Sequence, residues 1–249
     1  MTTQKTALIT GGSRGIGAVV AQILGVHGYY IYLNCRKIND HASQALDNIR
    51  SAGGEGEIIE FDVTDEIGIQ VAVENAKLKT IDLLFNNAGI LFDNLLCDLE
   101  PNQWEQVINT NFWGGVHVYN CIYNQLSRSP KPVIINMGSI SGVRPRKGQG
   151  AYSVSKAMII EWTNQIIIHD PIKKINAFCI SPGPVETDMI ISTPWYADPN
   201  SKKRIPLSRY AKPLEIAEFV LFLGENPTMF KNGFNFVMDG GLTQTIKDF

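Results

Sequence analysis

The chain has 249 residues, of which 44% are hydrophobic and 18% are charged, and its formal net charge is −2. This size fits one α/β domain with a large core, and the lack of a basic excess excludes the usual kind of nucleic-acid-binding protein. No apolar run is long enough to span a bilayer, and residues 1–10 lack the apolar stretch of a signal peptide. We therefore expect a cytoplasmic protein without a membrane partner.

Short β-branched runs alternate with longer segments of helical spacing along the chain. This alternation predicts one Rossmann-type α/β domain over residues 1–249, with a doubly wound parallel sheet of about seven strands and helices on both faces. Strands are expected at Lys5–Thr10, Tyr30–Asn34, Glu57–Phe61, Ile81–Asn86, Val133–Met137, Ile175–Ile180 and Asn235–Met238. Helices are expected at Ile16–His27, His41–Ala52, Gln103–Leu126, Ala151–His169 and Leu214–Leu223. Pro171 should end the fourth of these helices.

Two of the predicted helices, Gln103–Leu126 and Ala151–His169, carry apolar residues nearly all round. A helix that is apolar on every side is buried on every side, and one sheet covers only one of those sides. We expect the second side, with Ile167 on it, to pack against another copy of the chain. This predicts a homotetramer or a homodimer.

A glycine-rich loop follows the first predicted strand and precedes a helix, with the sequence Gly-Gly-Ser-Arg-Gly-Ile-Gly at residues 11–17. Glycines allow a sharp turn and a close approach of the backbone to a pyrophosphate. The free N–H groups at the start of the following helix then point at the phosphates. The loop therefore predicts a dinucleotide site. The four cysteines (Cys35, Cys97, Cys121 and Cys179) are far apart in sequence, so we expect neither a metal site nor a redox pair.

Several short motifs occur in a fixed order along the chain. They are Gly11-x3-Gly15-x-Gly17, Asn86-Asn87-Ala88-Gly89, Ser139, Tyr152-x3-Lys156 and Pro182-Gly183. In this order and spacing the chain resembles the short-chain dehydrogenase/reductase family from Lys5 to Gly241. Residues 134–142, 205–209 and 239–241 resemble the 3-oxoacyl-(acyl-carrier-protein) reductases of that family most closely. The resemblance implies an oxidoreductase that moves a hydride to or from a carbonyl carbon.

Reduction of a ketone needs a proton at the developing alkoxide, and a tyrosine hydroxyl with a reference pKa of about 10 is a weak acid–base group. Lys156 lies one helical turn after Tyr152, so its ammonium is expected to lower the tyrosine pKa. Ser139 would donate a hydrogen bond to the carbonyl oxygen. The resemblance implies that Asn111 holds a water in the proton relay. The predicted catalytic set is thus Asn111, Ser139, Tyr152 and Lys156.

The end of the second strand selects between NAD and NADP, because an acidic residue there would bind the ribose and repel a 2′-phosphate. Here the strand ends in Leu33-Asn34-Cys35, with no carboxylate at that position. Two cations, Arg36 and Lys37, come next, and Arg14 lies in the glycine loop. Guanidinium groups bind phosphate oxygens well, so we predict NADP(H). By resemblance, Asp62 lies beside the adenine and Thr187 holds the carboxamide. The predicted cofactor-binding residues are Gly11, Ser13, Arg14, Gly15, Ile16, Gly17, Asn34, Arg36, Asp62, Val63, Asn87, Ala88, Gly89, Tyr152, Lys156, Pro182, Gly183, Val185 and Thr187.

The substrate is less constrained by the sequence. Residues 189–205 lie where the family has its substrate lid. A first hypothesis is a 3-oxoacyl thioester carried by acyl carrier protein, as in fatty-acid or polyketide-type synthesis. Because such a carrier is acidic, this hypothesis predicts a basic patch at the mouth of the site. The candidate residues are Arg128, Lys131, Lys173 and Lys174. A second is a free small alcohol or ketone, such as a sugar, a steroid or a secondary metabolite. A third, from another class, is a non-catalytic NADP-sensing protein, against which the complete Ser139, Tyr152 and Lys156 set argues.

Overall fold

The computed structural model describes residues 4–171, 174–191 and 193–245. The strands form one parallel seven-stranded sheet in the order β3-β2-β1-β4-β5-β6-β7. Their bounds are β1 Thr6–Ile9, β2 Tyr30–Cys35, β3 Glu55–Glu60, β4 Leu83–Asn86, β5 Val133–Met137, β6 Asn176–Pro182 and β7 Asn235–Met238. The strand order reverses between β1 and β4, so the carboxyl ends of these two strands open a crevice of the kind that binds ligands in such sheets. The predicted fold class is confirmed.

Ten α-helices lie among the described residues. Their bounds are α1 Gly15–Val26, α2 Asp40–Ser51, α3 Glu66–Asn75, α4 Pro101–Ile108, α5 Gly114–Arg128, α6 Ile140–Val143, α7 Gly150–His169, α8 Asp188–Ile191, α9 Pro194–Ala197 and α10 Pro213–Glu225. None of the helices in the described ranges is both long and apolar enough to cross a membrane.

The sheet separates two hydrophobic cores, because successive side chains of a strand point to opposite faces. Ile9 packs with α1, α2 and α10 on one face, and Leu8 packs with α3, α5 and α7 on the other. Both side chains are fully buried. Coverage on both faces explains why the strands are apolar without alternation. The same packing carries α1 and α7, the helices nearest the predicted chemistry, to the carboxyl edge of the sheet.

The predicted helix Gln103–Leu126 is a continuous helical segment from Pro101 to Arg128, but it contains a π-helical turn at Asn109–Trp113. The helix begins earlier than predicted because Pro101 occupies its first turn, where a missing N–H costs nothing. Such π-helical turns are frequent at functional sites, and this turn contains Asn111. Helix α7 ends at His169, before Pro171, as predicted.

Residues 189–205 contain α9 and a 3-10 turn at Lys202–Arg204. Trp195 packs there on a small separate core of Ile140, Ile205, Tyr210 and Leu242. The π-helical turn before α5 and helix α7 leave apolar side chains exposed: Trp113 is 46% exposed, Val154 44% and Ile168 68%. The sequence assigned Ile167 to this outer side, but Ile167 packs on the core, and the outward residue is its neighbour Ile168.

Candidate active site

The glycine loop connects β1 to α1 at the carboxyl edge of the sheet. Gly11 and Gly15 have φ angles of +60° and +57°, a region that side-chain-bearing residues rarely adopt. A Cβ on Gly17 would overlap the carbonyl oxygen of Gly11, so the loop lies against the first turn of the helix. No side chain caps the start of α1, and its first N–H groups are therefore available to an anion.

Side chains from neighbouring strands hold this loop in place. Asn87 donates from Nδ2 to the carbonyl oxygens of Thr10 and Gly11, at 3.0 and 3.1 Å. The backbone N–H groups of Asn87 and Ala88 donate to the Thr10 hydroxyl oxygen, at 2.9 and 3.1 Å. The Asn34 side chain is buried and its Nδ2 donates to carbonyl oxygens of Cys35, Ile59 and Phe61. Asn34 and Asn87 therefore shape the crevice with side chains that are already engaged.

The charged residues predicted to select the cofactor lie at one end of the same crevice. Arg14 and Arg36 are exposed and line it, as does Lys37. Asp62, at the end of β3, accepts hydrogen bonds from the N–H and the hydroxyl of Thr64 at 2.9 and 2.8 Å. No acidic residue follows the end of β2 until Asp40 in α2, so two cations precede the first carboxylate.

Ser139 lies two residues after the end of β5, at the start of the short helix α6. Its hydroxyl oxygen accepts a hydrogen bond from the Ser141 backbone N–H at 3.1 Å. Because this bond occupies the oxygen as an acceptor, the hydroxyl proton is left to donate. A hydrogen bond between Ser139 and Tyr152 joins the two predicted catalytic side chains.

Tyr152 and Lys156 stand one turn apart near the start of α7, as the sequence predicts. Burial raises the pKa of Tyr152 to about 12, and the Ser139 hydrogen bond opposes that shift without reversing it. The expectation that Lys156 brings this pKa below its ordinary value is therefore wrong for this arrangement. The Lys156 Nζ atom lies 5.6 Å from the tyrosine ring centre and donates to the Met137 carbonyl oxygen at 2.7 Å. Burial lowers the pKa of Lys156 to about 8.

Asn111 is buried at the π-helical turn, and its side chain is fully engaged. Its Oδ1 accepts from the Ile90 N–H at 2.8 Å, and its Nδ2 donates to the Ile90 carbonyl and the Ser155 hydroxyl, both at 3.0 Å. This side chain thus ties the helix to the loop after β4. With Lys156 it also borders a small internal cavity, where the Oδ1 atom of Asn86 is buried without a hydrogen-bond partner among the described residues.

The structure brings the predicted residues together. All of the predicted catalytic and cofactor-binding residues line one open crevice except Gly17, which lies beneath the loop, and Asn111, which lies behind Lys156. The glycine cradle, the open N–H groups and the flanking arginines fit a dinucleotide in this crevice. In the described ranges no cluster of three or more His, Cys, Asp or Glu side chains could hold a metal ion.

Three of the four residues predicted for the basic patch, Arg128, Lys131 and Lys174, do not line the crevice. Arg128 is the last residue of α5 and donates to the Lys79 carbonyl oxygen, and Lys131 and Lys174 precede β5 and β6. These residues therefore lie at the amino edge of the parallel sheet, opposite the crevice, because parallel strands share their edges. Lys173 falls outside the described residues. The cations that do line the substrate side of the crevice are Arg146, Lys147 and Arg204.

Sequence reasoning also missed a polar wall beside Ser139. The Ser141 hydroxyl donates to the Gln149 side-chain oxygen at 2.7 Å, and Gln149 in turn hydrogen-bonds the carboxyl of Asp93. Burial raises the pKa of Asp93. Gln149 stands one turn before Tyr152, and that spacing was the signal in the sequence that could have drawn attention to it.

Known proteins resemble this chain over nearly its whole length. A family model described as short chain dehydrogenase matches residues 5–195. The chain is 34% identical over 242 residues to the 3-oxoacyl-(acyl-carrier-protein) reductase FabG of Chlamydia trachomatis, which covers 96% of this chain and 97% of that protein. It is 32% identical over 243 residues to the protein of the same name from Staphylococcus epidermidis, covering 96% and 98% of the two chains.

The fold is also similar to the folds of solved structures. A dehydrogenase/reductase from Sinorhizobium meliloti has a TM-score of 0.88 at 29% identity, covering 96% of this chain and 94% of the other. A double mutant of a Serratia marcescens short-chain dehydrogenase/reductase has the same TM-score at 27% identity, covering 96% and 98%. The chain belongs to the short-chain dehydrogenase family of nicotinamide-dependent oxidoreductases, which act on CH–OH and C=O groups.

Proposed function

We propose that this protein is an NADPH-dependent ketoreductase that acts on the 3-oxo group of an acyl-carrier-protein thioester. The observation that carries the proposal is the convergence of Ser139, Tyr152 and Lys156 on the crevice that begins at the glycine loop. Relatives at 30–34% identity that bear the name of such a reductase support the choice of substrate.

In the proposed reaction the glycine loop and the uncapped N–H groups that open α1 would hold the phosphates of the dinucleotide. When bound, the reduced nicotinamide supplies the hydride. Ser139, whose oxygen already accepts from the Ser141 N–H, donates a hydrogen bond to the substrate carbonyl oxygen and keeps its proton. Tyr152 gives the proton that the alkoxide needs. With a pKa of about 12 it is protonated at neutral pH, which suits a proton donor in the reducing direction.

Lys156 is proposed to stabilise the tyrosinate that forms. Its pKa of about 8 keeps most of the ammonium charged at pH 7, within one helical turn of Tyr152. Asn111 can hold a relay water only through its main-chain carbonyl, because Ile90 and Ser155 engage the side chain. We therefore assign the Asn111 side chain a positioning role.

The preference for NADPH over NADH rests on Arg14 and Arg36, which border the crevice, and on the lack of an acidic residue between the end of β2 and Asp40. Residues 189–205 form the proposed lid: Met189, Thr193 and Trp195 line the crevice. The exposed apolar side chains of Trp113, Val154 and Ile168 support a homotetramer or homodimer, since packing against another copy of the chain would remove them from water.

A second candidate function is the reduction of a free small ketone. It is favoured by the polar side chains of Asp93, Gln149 and Arg146 in the crevice, because an acyl chain needs no such polar groups. A third candidate, an NADP-sensing protein without catalysis, is opposed by the complete catalytic set.

One assay separates these candidates. Purified protein is given NADPH with 3-oxobutyryl-acyl-carrier-protein, with the same acyl group on N-acetylcysteamine, and with acetoacetate. We expect the highest kcat/KM for the carrier-bound thioester. A higher kcat/KM for acetoacetate would favour the free ketone instead. Binding of NADPH without turnover of any substrate would contradict the proposed catalysis.

A further inference from the structure

One guanidinium group on the substrate side of the crevice has no acceptor. Arg146, in the loop between α6 and α7, is half-buried, and its guanidinium carbon lies 4.2 Å from the centre of the Trp195 ring. Within the described part of the chain this guanidinium enters no ion pair and donates no hydrogen bond. Stacking on an indole satisfies the face of a guanidinium and leaves its five N–H donors free at the edge.

Burial and the neighbouring charges make this state costly. Burial and the nearby Arg204 lower the pKa of Arg146, whereas the carboxyl of Asp93 raises it. Arginine stays protonated all the same, so the positive charge persists. A partly desolvated charge with unused donors is unfavourable until an acceptor meets it. The other guanidinium on the same indole, Arg204 at 5.1 Å, is already paired with Asp198 at 2.6 Å. Arg146, in contrast, has no ion-pair partner among the described residues.

Hydrogen bonds lead from Ser139 to Asp93, which interacts electrostatically with Arg146. Ser141 bonds Ser139 through its N–H and Gln149 through its hydroxyl, and Gln149 bonds Asp93. Asp93 faces Arg146 closely enough to raise its pKa, yet the two form no ion pair within 4.0 Å among the described residues. Arg146 therefore lines the same crevice as Ser139, and the N–H donors of its guanidinium have no acceptor among the described residues.

We propose that Arg146 is a specificity-determining residue that binds an anionic oxygen group of the substrate, with Trp195 fixing the plane of the guanidinium. A planar fork of N–H donors matches carboxylate or phosphate oxygens. The group is either the carboxylate of a free 3-oxo acid or the phosphate of a phosphopantetheine arm. The inference rests on the proposed ketoreductase function and names the substrate chemistry that its site selects.

The test compares Arg146→Met, Arg146→Lys and the control Lys203→Met, which removes one charge from an exposed residue that does not line the crevice. Each variant receives NADPH with acetoacetate, with 3-oxobutyryl-phosphopantetheine, and with the uncharged N-acetylcysteamine thioester. Charge-assisted hydrogen bonds contribute roughly 1.5–3 kcal/mol, so KM for an anionic substrate should rise about tenfold to a hundredfold in Arg146→Met. We expect kcat to change little, Arg146→Lys to recover part of the loss, and the control to match the wild type.

The pattern of losses decides the source of the anion. A loss confined to acetoacetate assigns the carboxylate, a loss confined to the phosphopantetheine thioester assigns the phosphate, and a loss for both assigns a site that takes either. An equal loss for the uncharged thioester, or no loss at all, overturns the inference, because a merely structural Arg146 would affect all substrates alike.

Calorimetry of acetoacetate and phosphopantetheine binding keeps the inference separable from the proposed function. If the wild type reduces none of the substrates, the proposed function fails, but binding that is lost in Arg146→Met and kept in Lys203→Met still supports the anion site. Binding unchanged in Arg146→Met overturns it.

Discussion

Lys156 donates a hydrogen bond from its Nζ atom to the main-chain oxygen of Met137, at 2.7 Å. This contact joins α7 to the end of β5, two residues before Ser139. The lysine is only 3% exposed, and its burial lowers its pKa from 10.5 to about 8. The fold therefore keeps an ammonium where its charge is disfavoured, which is typical of groups retained for function.

This burial predicts a pH-dependent stability. Between pH 8 and 10.5 the unfolded lysine stays protonated while the folded one loses its proton, so the free energy of unfolding rises with pH across this window. For this shift the gain is about 3 kcal/mol. Lys156→Met removes the titration. In urea unfolding, the free energy of unfolding of the wild type should rise by about 3 kcal/mol relative to that of the variant between pH 8 and 10.5.

Lys203→Met is the control, since the exposed lysine at that position should leave the wild-type pH dependence intact. If the difference in the free energy of unfolding between the wild type and Lys156→Met does not change with pH, the pKa of Lys156 is not lowered in the folded protein.

Tyr152→Phe tests the proton donor. The variant keeps the ring and removes the hydroxyl that bonds Ser139. We expect turnover to fall by about a hundredfold or more, the scale of general acid catalysis, while the affinity for NADPH measured by fluorescence titration stays within a few fold. Near-normal turnover would remove Tyr152 from the mechanism.

Arg36→Ala tests the choice of cofactor. A charge-assisted bond to a 2′-phosphate contributes roughly 1.5–3 kcal/mol, so the ratio of NADPH to NADH affinity should fall about tenfold to a hundredfold. NADH binding should hardly change. Lys79→Ala, an exposed cation at the amino edge of the sheet, controls for the loss of net charge. An unchanged ratio in Arg36→Ala would show that this arginine does not select the cofactor.

Ile168→Asp tests the assembly. Ile168 is 68% exposed on α7, and burying a large apolar side chain at a subunit interface contributes about 1.5–3 kcal/mol. Light scattering at micromolar concentration should show a homo-oligomer for the wild type and a smaller species for the variant. The control is Ile67→Asp on α3, where the isoleucine is 74% exposed on a different helix. A monomeric, fully active wild type would contradict the proposed interface.

Much of the fold followed from local patterns. The apolar runs located all seven strands, with end shifts such as β4 beginning at Leu83 instead of Ile81, because buried parallel strands differ so strongly in composition from the segments between them. The π-helical turn at Asn109–Trp113 was not predictable in this way. It depends on how closely Gly114 approaches Val63 and on the bonds of Asn111 to Ile90, which are contacts across the fold.

The basic patch shows a different kind of error. Lys131 and Lys174 precede strands, so the order of elements alone already assigned them to the amino edge of the sheet, away from Ser139 and Tyr152. The geometry of parallel strands is sufficient for this assignment, because such strands share their amino and carboxyl edges.

By itself the sequence determined the glycine loop, the spacing of Tyr152 and Lys156, and the missing acid after β2, because each depends on residues within one or two turns of one another. Only the tertiary structure decided that burial raises the pKa of Tyr152 and lowers that of Lys156. It also decided that Arg146 stacks on Trp195, which lies 49 residues further along the chain, and that its N–H donors have no acceptor among the described residues. Desolvation and the partners of a charge come from segments distant in sequence, and a local pattern carries no record of which segments those are.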